Sequence, residues 1–296
     1  MSSTSVVLIV LLIVGLACPV ATSAAEPRKV RNAMWIWAHV EGAYDGMWGL
    51  PRNSAITPRH GAQIMGLRNV IMIKYLGKPQ PPFDGYAAQF RDMDRLMWSI
   101  VGASGETSDT ERDHVLELAA RMPNLTGVFM DDFFFLQPGD SDNATQTAPA
   151  ALAVQEITDL RDRLVVGDRR LDLGVTLYTY QLTERIVPHL QHVDVISLWT
   201  WEAKDLEHLE QNFARLEELL PGKRILLGIY MWDFGAIKPM PLDLMKKQCE
   251  MALRWLHEGR IEGMIFLGTN IMDMDLEAVN WTRAWIAEVG DQPLKR

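Results

Sequence analysis

The chain has 296 residues, of which 48% are hydrophobic and 23% are charged, and this composition excludes a disordered, collagen-like or disulfide-rich class of protein. The 29 Lys and Arg residues are outnumbered by 38 Asp and Glu, which gives a formal net charge of -9 without any basic cluster. This charge argues against nucleic acid as a partner and favours a neutral or cationic substrate.

The amino-terminal segment differs in composition from the rest of the chain. Val6–Leu16 is an uncharged apolar run, and small residues follow at positions 23 to 25. This pattern is typical of an export signal, so we expect residues 1–25 to be cleaved and the mature protein to be secreted or periplasmic, without stable membrane insertion. No Lys or Arg precedes the run, and Cys18 lies in a loose lipobox-like context, so an uncleaved anchor and a lipoprotein are the alternatives.

From Ala33 onward, apolar segments alternate eight times with helical patterns. Most of these segments are nearly continuous apolar runs, as expected for parallel strands that are covered on both faces. The predicted strands are residues 34–38, 70–76, 95–101, 125–132, 171–179, 193–201, 224–232 and 262–270.

Helix-start signals lie between several of these strands. Thr57 precedes Pro58, Ser108 precedes Glu111 by three positions, and Pro241 precedes another helical pattern. Residues 205–220 place apolar side chains on one stripe with charges opposite. Eight strand and helix units in residues 26–296 predict a single (β/α)8 TIM barrel of the α/β class. A doubly wound sheet is the alternative, although the chain has no G-x-G-x-x-G motif or P-loop.

Loop lengths distinguish the two ends of the predicted barrel. Returns from helix to strand are short, whereas the exits after the first, second, fourth and seventh strands are long. In such barrels the elaborated face lies at the carboxyl ends of the strands, where catalytic and binding residues collect.

The fourth strand ends in Asp131 and Asp132, which are followed by three phenylalanines. Two carboxylates where an apolar strand opens onto a loop are partly desolvated, and their like charges raise one proton affinity, which suits acid, base or nucleophile roles. Neighbouring strand residues point to opposite faces, so we expect one of the pair, Asp131, to face the barrel mouth. Helix capping or pairing with an arginine is the structural alternative.

Carboxylates and aromatic rings also occur together at the ends of the sixth and seventh strands. The sixth ends in Trp199, Trp201 and Glu202, and the seventh in Tyr230, Trp232 and Asp233. Rings stack on the apolar faces of sugars while carboxylates attack, protonate or hydrogen-bond, so this combination favours a carbohydrate site. Packing of the rings and local roles for the two acids are the alternatives.

Further candidates lie around the predicted rim. Lys74 interrupts an apolar run and is typical of an ion-pair partner for a carboxylate, more than of a Schiff-base lysine. No second histidine is close to His39 in sequence, and no zinc, redox or nucleophile-elbow motif occurs, so we expect no metal and no cofactor. The rim candidates are Trp35, Trp37, His39, Lys74, Tyr75, Tyr178, Tyr180 and Asn270.

The stretch Gly127–Asp132 resembles the end of the fourth strand in (β/α)8 glycoside hydrolases with a G-V-x-x-D-D context. The resemblance covers the barrel as an architecture and these six residues as a motif. It implies a retaining, two-carboxylate hydrolysis of glycosidic bonds, with Asp131 as nucleophile, Glu202 as acid/base and Asp132 as an orienting group. Another clan of such barrels takes its nucleophile from the seventh strand, which would be Asp233, but it normally uses glutamates. The chitinase-like D-x-x-D-x-D-x-E pattern is absent.

The sequence therefore predicts a secreted glycoside hydrolase acting on a carbohydrate. The remaining site residues would bind the sugar, namely Trp37, His39, Lys74, Tyr178, Trp199, Trp201, Tyr230, Trp232 and Asn270. Two alternatives from other classes are a barrel that binds glycans without cleaving them, and a metal-dependent hydrolase or lyase that uses Asp131, Asp132 and His39.

Overall fold

The computed structural model of the chain describes residues 28–140 and 146–294. The predicted signal peptide, residues 1–25, lies outside this part. In the part described, no helix is both long enough and apolar enough to cross a membrane.

Eight parallel strands close into a barrel, which confirms the predicted architecture. Each strand pairs with its neighbours in sequence, and the first pairs in parallel with the eighth, so the sheet has no free edge. The strands are β1 (Met34–Ala38), β2 (Asn69–Met72), β3 (Arg95–Val101), β4 (Leu125–Met130), β5 (Asp172–Tyr178), β6 (Val195–Trp199), β7 (Arg224–Tyr230) and β8 (Gly263–Leu267).

One α-helix follows each strand. The predicted caps are present, because Thr57 Oγ1 accepts from His60 N at 3.3 Å and Ser108 Oγ accepts from Glu111 N at 3.3 Å. The pattern over residues 205–220 predicts one helix, but Ala203–His208 forms a 3-10 turn before the α-helix begins. The helices are α1 (Pro58–Ile64), α2 (Asp84–Ala87), α3 (Asp109–Arg121), α4 (Val154–Arg163), α5 (Val187–Leu190), α6 (Leu209–Leu219), α7 (Leu242–Glu258) and α8 (Glu277–Val289).

The barrel interior is filled by large rings set against glycines. A Cβ atom on Gly174 would lie 2.5 Å from the Phe129 ring, and one on Gly228 would lie 2.0 Å from the Trp199 ring. Trp37 makes edge contacts with both rings at centroid distances of 5.3 and 5.2 Å. These three rings therefore fill the barrel beneath the carboxyl ends of its strands, because the glycines on neighbouring strands leave room for them.

The amino-terminal end of the barrel is held by ion pairs. Arg224 at the start of β7 contacts Asp172 Oδ1 at 2.7 Å and Glu262 Oε2 at 2.5 Å. The Arg224 guanidinium is the main reason that the pKa of Glu262 lies below its ordinary value. Residues near the two ends of the described range meet at the same face, where Val30 N donates to Gln292 O at 3.0 Å.

Candidate active site

A cavity of about 420 Å³ opens among the carboxyl ends of the strands. Tyr178, Trp199, Tyr230 and Leu267 line it, and each is the last residue of its strand. The remaining lining residues are Trp37, His39, Tyr44, Trp48, Tyr75, Ala103, Ser104, Asp131, Asp132, Phe134, Phe135, Gln137, Thr176, Tyr180, Gln181, Trp201 and Phe234. The cavity thus lies at the face where barrel enzymes place their catalytic groups.

Asp131 is a buried acid on the wall of this cavity. It follows the last residue of β4 and is 5% exposed. Its backbone N–H continues the strand by donating to Val101 O at 2.9 Å, and Thr176 Oγ1 donates to Oδ1 at 3.0 Å. Burial, and then the negative charge of Asp132, raise the pKa of Asp131 well above its ordinary value. Asp131 therefore holds its proton under conditions where an ordinary aspartate has lost it.

Asp132 also lines the cavity, which differs from the expectation that only one of the two acids faces the mouth. Its φ of 42° lies in the left-handed region, so the strand alternation ends here and both side chains turn to the same side. Tyr178 Oη donates to Oδ1 at 2.7 Å, and the backbone N–H of Ser104 donates to Oδ2 at 2.8 Å. Two donors on two oxygens match an ionised carboxylate, which only accepts hydrogen bonds.

The two neighbouring acids thus occupy different environments. One is buried beside a single hydroxyl and the other is held by two donors at the cavity surface. Pairs of carboxyl groups whose surroundings differ in this way divide into an acid and a base in many hydrolytic enzymes.

Aromatic rings form most of the remaining wall. The Trp199 and Tyr230 rings lie 4.9 Å apart, and Trp201 contacts Tyr230 and Tyr178 edge-on at 5.9 Å. Tyr178 and Tyr180 stack with an interplanar angle of 3°. Tyr178, Tyr180 and Trp201 are partly exposed, so ring faces are available where the cavity opens to solvent.

His39 is a neutral imidazole on the same wall. It is 3% exposed, and its Nδ1 is hydrogen-bonded to Tyr44 Oη at 2.8 Å. Burial lowers the pKa of His39 to about 3. Its Nε2 is buried and has no hydrogen-bond partner among the described residues.

Eight of the residues predicted to be catalytic or sugar-binding line this one cavity, as do the rim candidates Tyr75 and Tyr180. The eight come from five strand ends and the turns that follow them, as the barrel topology requires. These residues are Trp37, His39, Asp131, Asp132, Tyr178, Trp199, Trp201 and Tyr230.

The two other predicted acids do not line the cavity. Glu202 is paired with Lys204 Nζ at 2.7 Å and packs over Gly235, where a Cβ would lie 2.5 Å from Glu202 Cγ. Asp233 is buried, and its Oδ1 accepts from Ala236 N at 3.1 Å, which closes the turn after β7. Both carboxylates thus have local partners, and neither lines the cavity in which Asp131 and Asp132 lie.

Three predicted sugar-binding residues hold loops instead of lining the cavity. Lys74 Nζ contacts Glu111 Oε1 at 2.7 Å, which is the ion-pair alternative for this lysine. Trp232 Nε1 donates to Trp48 O at 2.9 Å, and Asn270 Nδ2 donates to Val40 O at 2.7 Å. The latter two bonds fasten the long exit loop of β1, residues 39–57, to the exits of β7 and β8. Trp35, a rim candidate, lies under the Arg95 guanidinium at 4.3 Å and does not line the cavity either.

Several cavity residues were missed by the sequence analysis. Tyr44 and Trp48 lie in the long loop after β1, and Ser104 and Thr176 provide the hydrogen bonds to the two acids. The length of the β1 loop was the available signal for Tyr44 and Trp48. Nothing in the sequence marks a backbone N–H such as that of Ser104.

Within 28–140 and 146–294, no group of three or more His, Cys, Asp or Glu is arranged so that it could hold a metal ion. Asp131, Asp132 and His39 therefore do not form the ligand set that the metal-dependent alternative requires.

Comparison with known proteins shows similarity of fold. No protein-family description and no curated protein sequence matches the chain. Among solved structures, a xylanase and α-amylase inhibitor protein in complex with trehalose has 14% identity and a TM-score of 0.50, covering 86% of this chain and 99% of its own. A probable 2-pyrone-4,6-dicarboxylic acid hydrolase from Acinetobacter baumannii has 12% identity and a TM-score of 0.53, covering 86% and 91%.

A third similar structure is the active domain 2 of a thermostable chitinase from Pyrococcus furiosus, with 12% identity and a TM-score of 0.49 over 82% of this chain and 85% of that one. The two neighbours with TM-scores of 0.50 and 0.53 are thus an inhibitor protein and a probable hydrolase, which differ in the activity that their names give. At these identities the similarity establishes the barrel fold alone.

Proposed function

We propose that this protein is a hydrolase of glycosidic bonds in which Asp131 and Asp132 are the catalytic pair. The observation that carries the proposal is the placement of two differently held carboxyl groups in one cavity walled by aromatic rings. Oxocarbenium-like transition states need a proton donor and a negative charge beside the anomeric carbon, and the rings supply stacking surfaces for a pyranose.

The environments of the two acids assign their roles. Asp131 gives its proton to the departing glycosidic oxygen as the bond from that oxygen to the anomeric carbon breaks. Asp132 offsets the positive charge that develops on the sugar ring. The oxygen of a water molecule then bonds to the anomeric carbon, and the proton released from that water returns to the carboxyl pair. We do not carry forward the retaining mechanism that pairs Asp131 with Glu202, because Glu202 does not line the cavity.

The walls of the cavity provide the binding part of the proposal. Trp37 and Trp199 close the bottom of the cavity, while Trp201 and Tyr180 are partly exposed near its opening. The inhibitor-protein barrel was solved with trehalose, so a barrel of this fold can hold a disaccharide. The fold of the neighbours is compatible with the proposal, and the arrangement of acids and rings in this chain is what argues for it.

A screen with oligosaccharides and aryl glycosides, followed by mass spectrometry of the products, tests this function. We expect the wild-type protein to release a shorter sugar from at least one member of the panel, and Asp131→Asn to release none. The opposite result, in which the protein binds a glycan but leaves every member of the panel intact, would establish the non-catalytic glycan-binding barrel instead.

We also propose that the mature protein is exported. The support is the uncharged run Val6–Leu16 followed by small residues up to Ala25. Intact mass measurement of the protein recovered from its native host tests this, and a mature chain that begins at Glu26 is expected. A full-length chain retained inside the cell would contradict the proposal.

A further inference from the structure

The charges that face the cavity are unbalanced. Among its described lining residues are Asp131 and Asp132, and there is no Lys or Arg. His39 adds no positive charge, since burial lowers its pKa to about 3. Lys74 and Lys204, which follow β2 and β6, are paired with Glu111 and Glu202 outside the cavity.

This imbalance has an energetic consequence. Burial, and then repulsion from the negative charge of Asp132, raise the pKa of Asp131. Tyr44 on the opposite wall experiences the same field, because both aspartates contribute, after burial and Tyr75, to raising the pKa of its hydroxyl. A positive charge placed in the cavity would remove this repulsion.

The aromatic walls also favour a cation. The faces of Trp, Tyr and Phe rings carry negative electrostatic potential and attract ammonium groups within about 6 Å of the ring centre. Trp199 and Tyr230 form a tilted pair, and Trp201 stands edge-on to Tyr230, so the rings present faces in several directions around one space.

His39 indicates a second property of the ligand. Its Nε2 is buried without a partner among the described residues, although buried polar atoms in proteins are nearly always hydrogen-bonded. The other ring nitrogen is occupied by Tyr44 Oη. A hydroxyl group would satisfy Nε2 in either tautomer, because a hydroxyl both donates and accepts.

We propose, building on the glycosidase function proposed above, that the substrate is a glycoside of an amino sugar with a free ammonium group. The ammonium group would neutralise the negative charge of Asp132 while Asp131 keeps its proton, a ring hydroxyl would bond His39 Nε2, and the sugar ring would stack on the aromatic walls. A uronic acid would add a negative charge beside the Asp132 carboxylate. A simple quaternary amine would leave His39 without a partner.

Hydrolysis of matched oligosaccharides at mildly acidic pH, where the sugar amine is protonated, tests the substrate class. The probes are glucosamine oligomers, galactosamine oligomers, their fully N-acetylated forms, and neutral hexose oligomers of the same length and linkage. We expect kcat/KM for an amine form to exceed that for its acetylated and neutral counterparts by about tenfold or more, and to fall as salt is added.

The outcomes separate the two proposals. Equal or faster cleavage of the neutral or acetylated oligomers would overturn the amino-sugar class and leave the glycosidase function in place. Binding of an amine oligomer by calorimetry, with no cleavage of any probe, would overturn the glycosidase function and retain the cationic ligand. Binding of no amine oligomer would overturn the amino-sugar class directly.

A pair of variants shows whether the carboxylate pair recognises the ammonium group. Asp132→Asn is expected to weaken binding of the amine oligomer by about tenfold or more while changing binding of the neutral oligomer little. Only the amine oligomer carries an ammonium group that loses its carboxylate partner in this variant. Glu202→Gln, which alters a carboxylate outside the cavity, should leave both affinities unchanged. Equal loss for both ligands in Asp132→Asn, with an unchanged melting temperature, would contradict the proposed contact.

Discussion

At the scale of single residues, the unusual backbone of Asp132 is the feature that creates the site. A non-glycine residue with positive φ is strained by about 1 to 3 kcal/mol unless its surroundings compensate, and Asp and Asn tolerate this region better than most residues. The φ of 42° brings Asp132 to the same cavity as Asp131, and donors from Tyr178 and Ser104 hold its carboxylate there. The strained backbone of Asp132 therefore positions its carboxylate in the cavity.

Loss of the tyrosine donor should slow turnover more than it weakens the fold. Tyr178→Phe removes the hydroxyl that donates to Asp132 Oδ1 at 2.7 Å, and we expect kcat to fall by about 10- to 100-fold, since such donors act on the charge used in the transition state. Tyr86→Phe is the matched control, because Tyr86 Oη donates to Glu41 Oε2 at 2.9 Å away from the cavity. Equal effects of the two variants on kcat would contradict the role given to Tyr178.

The buried acid should make stability depend on pH. The pKa of Asp131 is higher in the folded than in the unfolded chain, so its ionisation destabilises the fold as pH rises from the unfolded towards the folded pKa. Asp131→Asn removes this ionisation and should raise the free energy of unfolding, on the order of 1 kcal/mol at neutral pH, with the gain vanishing below the ordinary aspartate pKa. Urea unfolding of both proteins over a pH series measures this. A gain that grows as pH falls would contradict it.

At the scale of strands, the barrel interior depends on glycines opposite large rings. An alanine Cβ at Gly228 would lie 2.0 Å from the Trp199 ring, so Gly228→Ala must displace a ring that both fills the barrel and lines the cavity. We expect a loss of about 1 to 3 kcal/mol in the free energy of unfolding, together with weaker sugar binding.

Gly85→Ala in α2 is the control for this substitution. Gly85 is exposed and has no atom within 4 Å of the added Cβ, so its replacement should leave stability unchanged or slightly raised. Thermal unfolding followed by circular dichroism compares the two variants. If Gly228→Ala melts at the wild-type temperature, the packing of Trp199 against β7 is not as tight as described.

The strands were predictable because buried parallel strands leave a direct trace in sequence. Residues 95–101 have the predicted bounds, and residues 125–132 differ only in that the strand ends at Met130, two residues before the left-handed Asp132. The pattern over residues 205–220 gave the apolar stripe correctly but not its 3-10 first turn. The periods of 3-10 and α-helices, about 3.0 and 3.6 residues per turn, differ little over a single turn, so the sequence could not distinguish the two helix types here.

At the scale of the whole molecule, the two ends of the barrel differ in whether their carboxylates have cationic partners. At the amino-terminal end, Arg224 pairs with Asp172 and Glu262, and the carboxylates there are compensated. At the carboxyl end, Asp131 and Asp132 have hydrogen bonds but no cation among the described lining residues. The acids named at the amino-terminal end thus have a cationic partner, whereas the two acids that line the cavity at the carboxyl end have none among the described lining residues.

The barrel topology explains which site residues could be predicted from the sequence. A residue within or directly after a strand has a direction fixed by the barrel, and Trp37, Asp131 and Trp199 all line the cavity. Two or more residues beyond the strand, direction depends on the turn. Glu202 therefore pairs with Lys204, and Asp233 accepts a hydrogen bond from Ala236 N. No strand pattern predicts these contacts.

The rate of glycosidic bond cleavage by three single variants tests whether Asp131 and Asp132 are the catalytic pair. With the best substrate of the screen, we expect Asp131→Asn and Asp132→Asn each to lose about 100- to 10,000-fold in kcat, because each removes one half of the acid and carboxylate pair. Glu202→Gln should keep the wild-type rate. Wild-type rates in the two asparagine variants, or abolished cleavage in Glu202→Gln with an intact fold, would contradict the account.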